Sequence, residues 1–283
     1  MKNKFITLII NGDGEGETAL DYDFSSATRE TIENGNKYPT LFRYCCADYY
    51  NIRALEKSQL FLCPIGDLND VFEGLSSQSA TIDRMDMRKL AYVKSFTENE
   101  NSLLMWGVYA DSFKGMCIEY DVNRLIGSDQ ESILYHLYPV AYTSERNNTF
   151  DMKRISNEYT KFMQALDNYG TFDTLVYTKD ILPLFLTKSL EWQTENEWRI
   201  VVTAEHLFNE EGFDSGDPAH LKKMYEINLL EGNFIDFNCA TRIYLGPKME
   251  EQKKQHIKDI GIELSIPVIE TRLSDKEYKL VEK

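Results

Sequence analysis

The apolar residues fall in short runs separated by polar punctuation, and most runs are of strand length. Lys4–Ile10 alternates polar and apolar residues and predicts a strand. Asn11-Gly12-Asp13-Gly14-Glu15-Gly16 predicts a turn, and Ala19–Phe24 a returning strand. A polar stretch over 25–39 ends at Pro39 and leads into a short strand, Leu41-Phe42-Arg43-Tyr44. Asp48 is placed to cap a helix over 49–58 with Ile52 and Leu55 facing inward. Leu60–Cys63 predicts a strand closed by Pro64, followed by an acidic turn, Leu68-Asn69-Asp70-Val71-Phe72-Glu73-Gly74.

Further strands are predicted at Val93–Phe96, Met116–Tyr120 and Val140–Thr143. Asn101 or Ser102 starts a helix carrying Leu103, Met105, Trp106, Tyr109 and Ala110, and Lys114-Gly115 turns the chain out of it. Asp151–Asn168 places Met152, Ile155, Tyr159, Phe162, Met163 and Leu166 on a 3.6-residue period, which predicts a helix ended by Gly170. A second apolar helix is expected over Ile181–Leu190, with Pro183 in its first turn. Glu197–Ala204 alternates as a strand with Trp198, Ile200 and Val202 on one face. Late strands are expected at Met224–Leu229, Thr241–Leu245 and Leu264–Thr271, with a helix over Lys248–Ile260 closed by Gly261. Strands and helices mix without strict βαβ alternation. This predicts an α+β fold, one mixed domain with a mostly antiparallel sheet core and flanking helices.

Composition narrows the setting. Of 283 residues 42% are hydrophobic, yet no run approaches the ~18 apolar residues of a membrane span. Phe5–Ile10 is too short for the apolar core of a signal peptide. Five cysteines, an odd number without C-x-x-C spacing, make neither a disulfide framework nor a zinc site, and the expected location is cytoplasmic. Four histidines without i, i+4 spacing argue against a histidine metal centre. A net charge of −15 disfavours non-specific binding to phosphate backbones. The glycine run at 12–16 holds Asp13 and Glu15, with Glu17 next, and no Lys-Ser/Thr, so it reads as a hairpin loop rather than a phosphate loop.

Three stretches hold polar residues where packing alone asks for none. The first joins Arg43-Tyr44 to Asn69-Asp70 and Glu73; a guanidinium among apolar neighbours needs an anion, either a ligand phosphate or a bridge to Asp70 or Glu73. The second runs from Ser95-Phe96-Thr97 through Met105-Trp106 and Tyr109 to Lys114. Trp106 and Tyr109, three residues apart, can form an aromatic wall or pack in the core. The third is Lys188 with Glu191-Trp192-Gln193-Thr194-Glu195-Asn196-Glu197-Trp198-Arg199. Strand alternation there puts Glu195, Glu197 and Arg199 on one face, suited to a sugar hydroxyl or a cationic transition state, or to Glu197–Arg199 and Lys188–Glu195 bridges. Glu119 and Asp121 also share a strand face and, with Asp70 and Glu73, compose a set that could hold a divalent ion.

In these residues the sequence resembles a bacterial family known only as domain of unknown function 2971. The resemblance spans roughly 41–246 and is carried, in order, by Leu41-Phe42-Arg43-Tyr44, Asn69-Asp70-Val71-Phe72-Glu73, Ser95-Phe96, Leu104-Met105-Trp106 with Tyr109-Ala110, and Lys114-Gly115. Glu119-Tyr120-Asp121, Trp192 with Glu195-Asn196-Glu197-Trp198-Arg199, and Ile243-Tyr244-Leu245-Gly246 complete it. Val71 departs from the family's Asn-Asp-Pro turn, which implies a looser turn here. The resemblance divides the chain into an N-terminal hairpin and polar extension (1–40), a core (41–246), and a C-terminal helix and strand packed on it (247–283).

The order of an Arg/Tyr strand, a Ser/aromatic middle and a late Glu-x-Glu strand is also similar to that of ADP-ribosyltransferases. That similarity implies NAD as substrate. Arg43 would contact its phosphate or ribose, and Ser95 would help position the dinucleotide, with Asn69, Asp70 and Lys114 nearby. Tyr44, Trp106 or Tyr109 would stack on nicotinamide, and Glu195 or Glu197, beside Arg199, would stabilise the ribosyl cation. It further implies an unknown protein or nucleic-acid acceptor, and a place in phage defence or a toxin system. The rival readings are a metal-dependent nuclease or phosphoesterase and a non-enzymatic sensor of a nucleotide-like ligand.

Overall fold

The computed structural model describes residues 7–12, 18–23, 37–74, 91–144, 185–203 and 233–283. The helix expected over 151–168 and the strand over 224–229 lie outside them. β1 (Thr7–Gly12) and β2 (Thr18–Asp23) pair antiparallel, as the alternation on either side of the glycine run predicts.

Next come β3 (Leu41–Cys45), helix α1 (Tyr49–Glu56), β4 (Gln59–Phe61), β5 (Cys63–Pro64) and β6 (Ala91–Thr97). Helix α2 (Leu103–Val108) leads through a tight turn into β7 (Met116–Tyr120), followed by β8 (Leu137–Pro139) and β9 (Ala141–Thr143). β10 (Thr187–Ser189), a 3-10 helix over Leu190–Glu195 and β11 (Glu197–Thr203) follow. β12 (Phe234–Asp236), β13 (Ala240–Leu245), α3 (Glu251–Leu264), β14 (Val268–Leu273) and β15 (Leu280–Glu282) end the chain.

The main sheet has the order β15-β14-β13-β7-β3-β6-β11-β8, with β5 on β6. Every pairing in it is antiparallel except β13 with β14. This is the mixed, mostly antiparallel α+β architecture that the pattern of runs predicts.

Period-2 alternation gives the sheet two apolar faces. Leu41 and Cys45 of β3, Phe96 of β6, Ile118 and Tyr120 of β7 and Trp198, Ile200 and Val202 of β11 bury one face, together with Leu55 of α1 and Ile257 and Ile260 of α3. Phe42 and Tyr44 of β3 and Cys117 of β7 turn to the other, against Met105 and Trp106 of α2. The caps are local: Asp48 accepts a hydrogen bond from Asn51 N–H (2.9 Å) at α1, and Ser102 from Met105 N–H (3.3 Å) at α2.

Three expectations need correction. The helix expected through Leu190 gives way to β10 at Thr187, because Thr187–Ser189 pairs in parallel with Ala141–Thr143. Glu195 is not in the strand: it ends the 3-10 helix, and Asn196 in the left-handed region (φ 45°, ψ 54°) separates it from β11. Gly261 does not close the last helix, which runs to Leu264 and ends at left-handed Ser265 (φ 58°). A Cβ on Gly261 would lie 2.2 Å from Val268 Cγ2, so this glycine serves close packing of α3 on β14.

The feature that positions the site is a split in the sheet. β3 pairs with β7 along Leu41–Cys45, but its ladder with β6 is confined to Phe42 opposite Thr97. Beyond that point β5 takes over the edge of β6, with Cys63 opposite Val93 and Pro64 opposite Tyr92. β3 and β6 diverge between these two pairings.

Candidate active site in the sheet split

A cavity of about 420 Å³ lies along this split. Arg43, Tyr44 and Cys45 of β3 and Val93, Lys94 and Ser95 of β6 line it, and side chains from both faces of the sheet reach it. Asn69 and Glu73 come from the acidic turn, Tyr109 from the end of α2, and Lys188, Glu195, Glu197 and Arg199 from around β10 and β11.

Arg199 organises the chemistry. Its place in β11 opposite Ser95 puts it on the face turned away from Trp198 and Ile200, and it is fully buried. All five of its N–H donors are used. Nη1 and Nη2 reach Glu73 at 2.7 and 2.6 Å, Nε and Nη2 reach Glu197 at 2.7 and 3.0 Å, and Nη1 also reaches the Phe185 carbonyl at 2.7 Å. Burial works against the charge of Arg199, and the carboxylates of Glu197 and Glu73 overcome it. Burial likewise works against ionised Glu197, yet Arg199, then Lys188, with the Ser95 hydroxyl contributing, hold its carboxyl down at about 2.

Lys188 joins this pair to the rest. Its Nζ donates to Glu195 Oε2 (2.7 Å) and Glu197 Oε2 (3.2 Å) and lies 3.7 Å from Glu73. Burial disfavours its charge and Arg199 opposes it, but Glu197, Glu195 and Glu73 raise its pKa above the usual value. The other Glu195 oxygen accepts from Tyr109 O–H (2.5 Å), and Tyr109 in turn accepts from Asn69 Nδ2 (3.2 Å). Burial and then this bond to Glu195 push the Tyr109 phenol upward, so it remains a donor. Glu195 is fixed through its backbone too, its carbonyl accepting from Thr97 Oγ1 at 2.5 Å.

Three carboxyl side chains (Glu73, Glu195, Glu197) thus face two cations (Lys188, Arg199) in a buried network. Glu197 is saturated by Arg199, Lys188 and Ser95. Glu195 has one donor on each oxygen and sits where the cavity, Tyr109 and Lys188 meet.

The structure brings Arg43, Tyr44, Asn69, Ser95, Tyr109, Glu195, Glu197 and Arg199 to one cavity. Asp70, Trp106 and Lys114 are not among its lining residues. Asp70 instead builds the acidic turn, its side chain accepting from Phe72 N–H (3.0 Å) and its carbonyl from Glu73 N–H (3.1 Å), which aims Glu73 at Arg199. Trp106 is 2% exposed and meets Tyr44 edge to face at 5.3 Å, so it is core rather than a stacking wall. Lys114 is exposed in the turn before β7.

Arg43 bridges neither Asp70 nor Glu73: its Nη2 donates to Asn51 Oδ1 at 2.5 Å, because Glu73 is taken by Arg199. The carboxylates of the metal reading do not converge. Glu73 is on Arg199, Glu119 accepts from Thr241 and Tyr244, and Asp121 accepts from Asn123. Among the described residues no group of three or more His, Cys, Asp or Glu is placed to hold a metal ion.

Lys188, Glu73 and Lys94 belong to the site and were weaker in the sequence. Lys94 had a readable signal: two residues from both Tyr92 and Phe96, it falls on the apolar face of β6.

Comparison with known proteins agrees with part of the resemblance read above. No curated protein and no solved structure matches this chain. No helix among the described residues is long and apolar enough to cross a membrane. Residues 105–200, which include Tyr109, Lys188, Glu195, Glu197 and Arg199, match the model of a family described as protein of unknown function (DUF2971), and over that segment the chain is similar to that family.

Proposed function

We propose that this chain uses NAD as a substrate and cleaves its nicotinamide–ribose bond, as an ADP-ribosyltransferase or NAD glycohydrolase. The observation that carries the reading is Glu195, a buried carboxyl held by Tyr109 and Lys188 on the wall of a cavity that also presents Arg43. Breaking the bond sends its electron pair to the pyridine nitrogen, which leaves as neutral nicotinamide. The ribose carbon takes on oxocarbenium character, and a fixed carboxylate beside it lowers the barrier. Water, or a hydroxyl or amine of an acceptor, then attacks that carbon and gives up its proton. Three carboxyl groups against two cations leave the network a net partner for developing positive charge.

In this reading Glu195 is the catalytic carboxylate. Glu197, Arg199 and Glu73 are positioning residues that hold Lys188 and the Glu195 turn. Tyr109, half-buried and lining the cavity, is the ring available to nicotinamide, since Trp106 is enclosed and the Tyr44 hydroxyl donates to the Asn99 carbonyl at 3.0 Å. In the same reading Arg43 contacts a phosphate and Ser95 helps position the dinucleotide. An NAD-consuming activity would suit a toxin or phage-defence role.

The test is product identity after incubation of the purified protein with NAD. Nicotinamide with ADP-ribose, free or attached to an acceptor, is the expected pair. AMP with nicotinamide mononucleotide would point to pyrophosphate cleavage and overturn the proposal. Stabilisation by NAD without products, with candidate acceptors present, would favour the sensor reading.

A further inference from the structure

Lys94 is 5% exposed, on the face of β6 that carries Tyr92 and Phe96, and it stands opposite Ile200 of β11. An ammonium in such a place is costly unless it is paired. Among the described residues Lys94 makes no hydrogen bond or ion pair; its Nζ is 5.8 Å from the Phe61 ring centre, and the side chain lines the cavity. Arg43 lines the same cavity, and Asn51 Oδ1 is the side-chain acceptor it reaches. A buried cation and a half-buried one therefore face one space, and the carboxylates of Glu73, Glu195 and Glu197 are engaged by Arg199 and Lys188 instead. Asp67 also lines the cavity and Asp48 raises the pKa of both cations, but neither carboxylate forms an ion pair with Arg43 or Lys94, which leaves an anionic ligand as their counterpart.

We propose that Lys94 and Arg43 form an oxyanion subsite in the sheet split, and that it takes the phosphate or pyrophosphate group of the ligand. Its ligand identity rests on the NAD reading, but its chemistry does not. Burial, then the Arg43 guanidinium, brings the Lys94 ammonium down to about 7, against smaller opposing effects of Cys63, Cys45 and Asp48. Those groups stand on β3, on β5 and at the start of α1, and Asp67, from the turn after β5, also lines the cavity. The empty subsite thus sheds charge near neutrality, and a bound oxyanion restores it, with uptake of a proton above pH 7. Adjacent backbone of β3 and β6, which do not pair with each other beyond Phe42 and Thr97, flanks the same space.

The experiment titrates the full chain with inorganic pyrophosphate by calorimetry, using wild type, Lys94→Met and Lys94→Arg. Loss of a buried charge-assisted contact is expected to weaken binding by Lys94→Met about ten- to a hundredfold. Lys94→Arg should bind with less pH dependence than wild type between pH 7 and 9, a comparison in which the ionisation of pyrophosphate itself cancels. On the unmodified protein, pyrophosphate should slow modification of Lys94 by an amine-reactive sulfonate near pH 8, a reading that needs no variant. Equal affinity of wild type and Lys94→Met, or labelling of Lys94 unaffected by pyrophosphate, would overturn the subsite. Pyrophosphate binding that depends on Lys94, with NAD left intact, would uphold the subsite while removing the glycosidic reading.

Discussion

At the scale of single residues the two glutamates of the Glu-x-Glu motif separate by their partners. Glu197 takes two N–H groups from Arg199 and one from Lys188, whereas each Glu195 oxygen has one donor. The roles predict different failures. Arg199→Met leaves Glu73 and Glu197 buried with Lys188 as their remaining cation and should cost about 3–5 kcal/mol of stability in urea titrations. Tyr109→Phe removes one donor from Glu195; it should slow NAD cleavage about tenfold or more and cost about 1.5–3 kcal/mol of stability.

Acid sensitivity follows from Glu197. Its carboxyl is depressed from 4.5 to about 2, so the stability it contributes is fully present above about pH 4.5 and is lost as pH falls through about 2. Glu197→Gln should flatten the stability–pH curve in that window, measured by denaturation at a series of pH values.

The residue scale also shows where the sequence is readable. Arg199 and Glu197 alternate on a strand, so period 2 placed them together correctly. Glu195 reached the same site by a different route, through the left-handed Asn196, and no periodicity encodes that. Glu73 as the partner of Arg199 joins positions 126 residues apart, a pairing that chemistry suggests only in kind.

At the scale of elements the motif glycines are explained by packing rather than chemistry. Asp111, Ser112 and Phe113 all have positive φ (46°, 53° and 72°), and this left-handed turn carries the chain from α2 to β7. Gly115 N–H donates to the Ala110 carbonyl (2.8 Å), and Gly246 N–H donates to the Gly115 carbonyl (2.9 Å). A Cβ on Gly115 would stand 2.2 Å from the Cys45 carbonyl oxygen, and one on Gly246 2.2 Å from that of Phe113. The Lys114-Gly115 and Ile243-to-Gly246 motifs are thus two sides of one contact that seats β3, β7 and β13. Gly115→Ala and Gly246→Ala should each destabilise by about 1–3 kcal/mol or more, read from thermal or urea unfolding. Ser265→Gly should do the reverse and stabilise by ~0.5–1 kcal/mol, since it relieves a left-handed residue at the end of α3.

Element boundaries set by local caps, as at Asp48 and Ser102, were legible in the sequence. Those set by partners were not. Thr187–Ser189 is a polar stretch between the apolar Phe185-Leu186 and Leu190, and its pairing with β9 makes it a strand.

On the scale of the whole molecule, the fold class was legible because strand-length runs without βαβ alternation leave few alternatives. The sheet split was not, since it depends on β5 displacing β3 from the edge of β6. That split explains how a chain of net charge −15 can hold Arg43 and Lys94 in a cavity. The overall charge repels polyanions, and a recess can still favour a small anionic ligand. It also places a cationic pair and a carboxylate cluster in one space, the polarity that a dinucleotide with a labile glycosidic bond requires.

Glu195 is proposed to act on the ribose carbon of NAD. Nicotinamide release at saturating NAD by wild type and Glu195→Gln tests it most directly. Steady release is expected from wild type, with a loss of about a hundredfold or more in kcat for Glu195→Gln, a protein that should still fold and still bind NAD. No release by a folded, NAD-binding wild type, or equal release by Glu195→Gln, would contradict it.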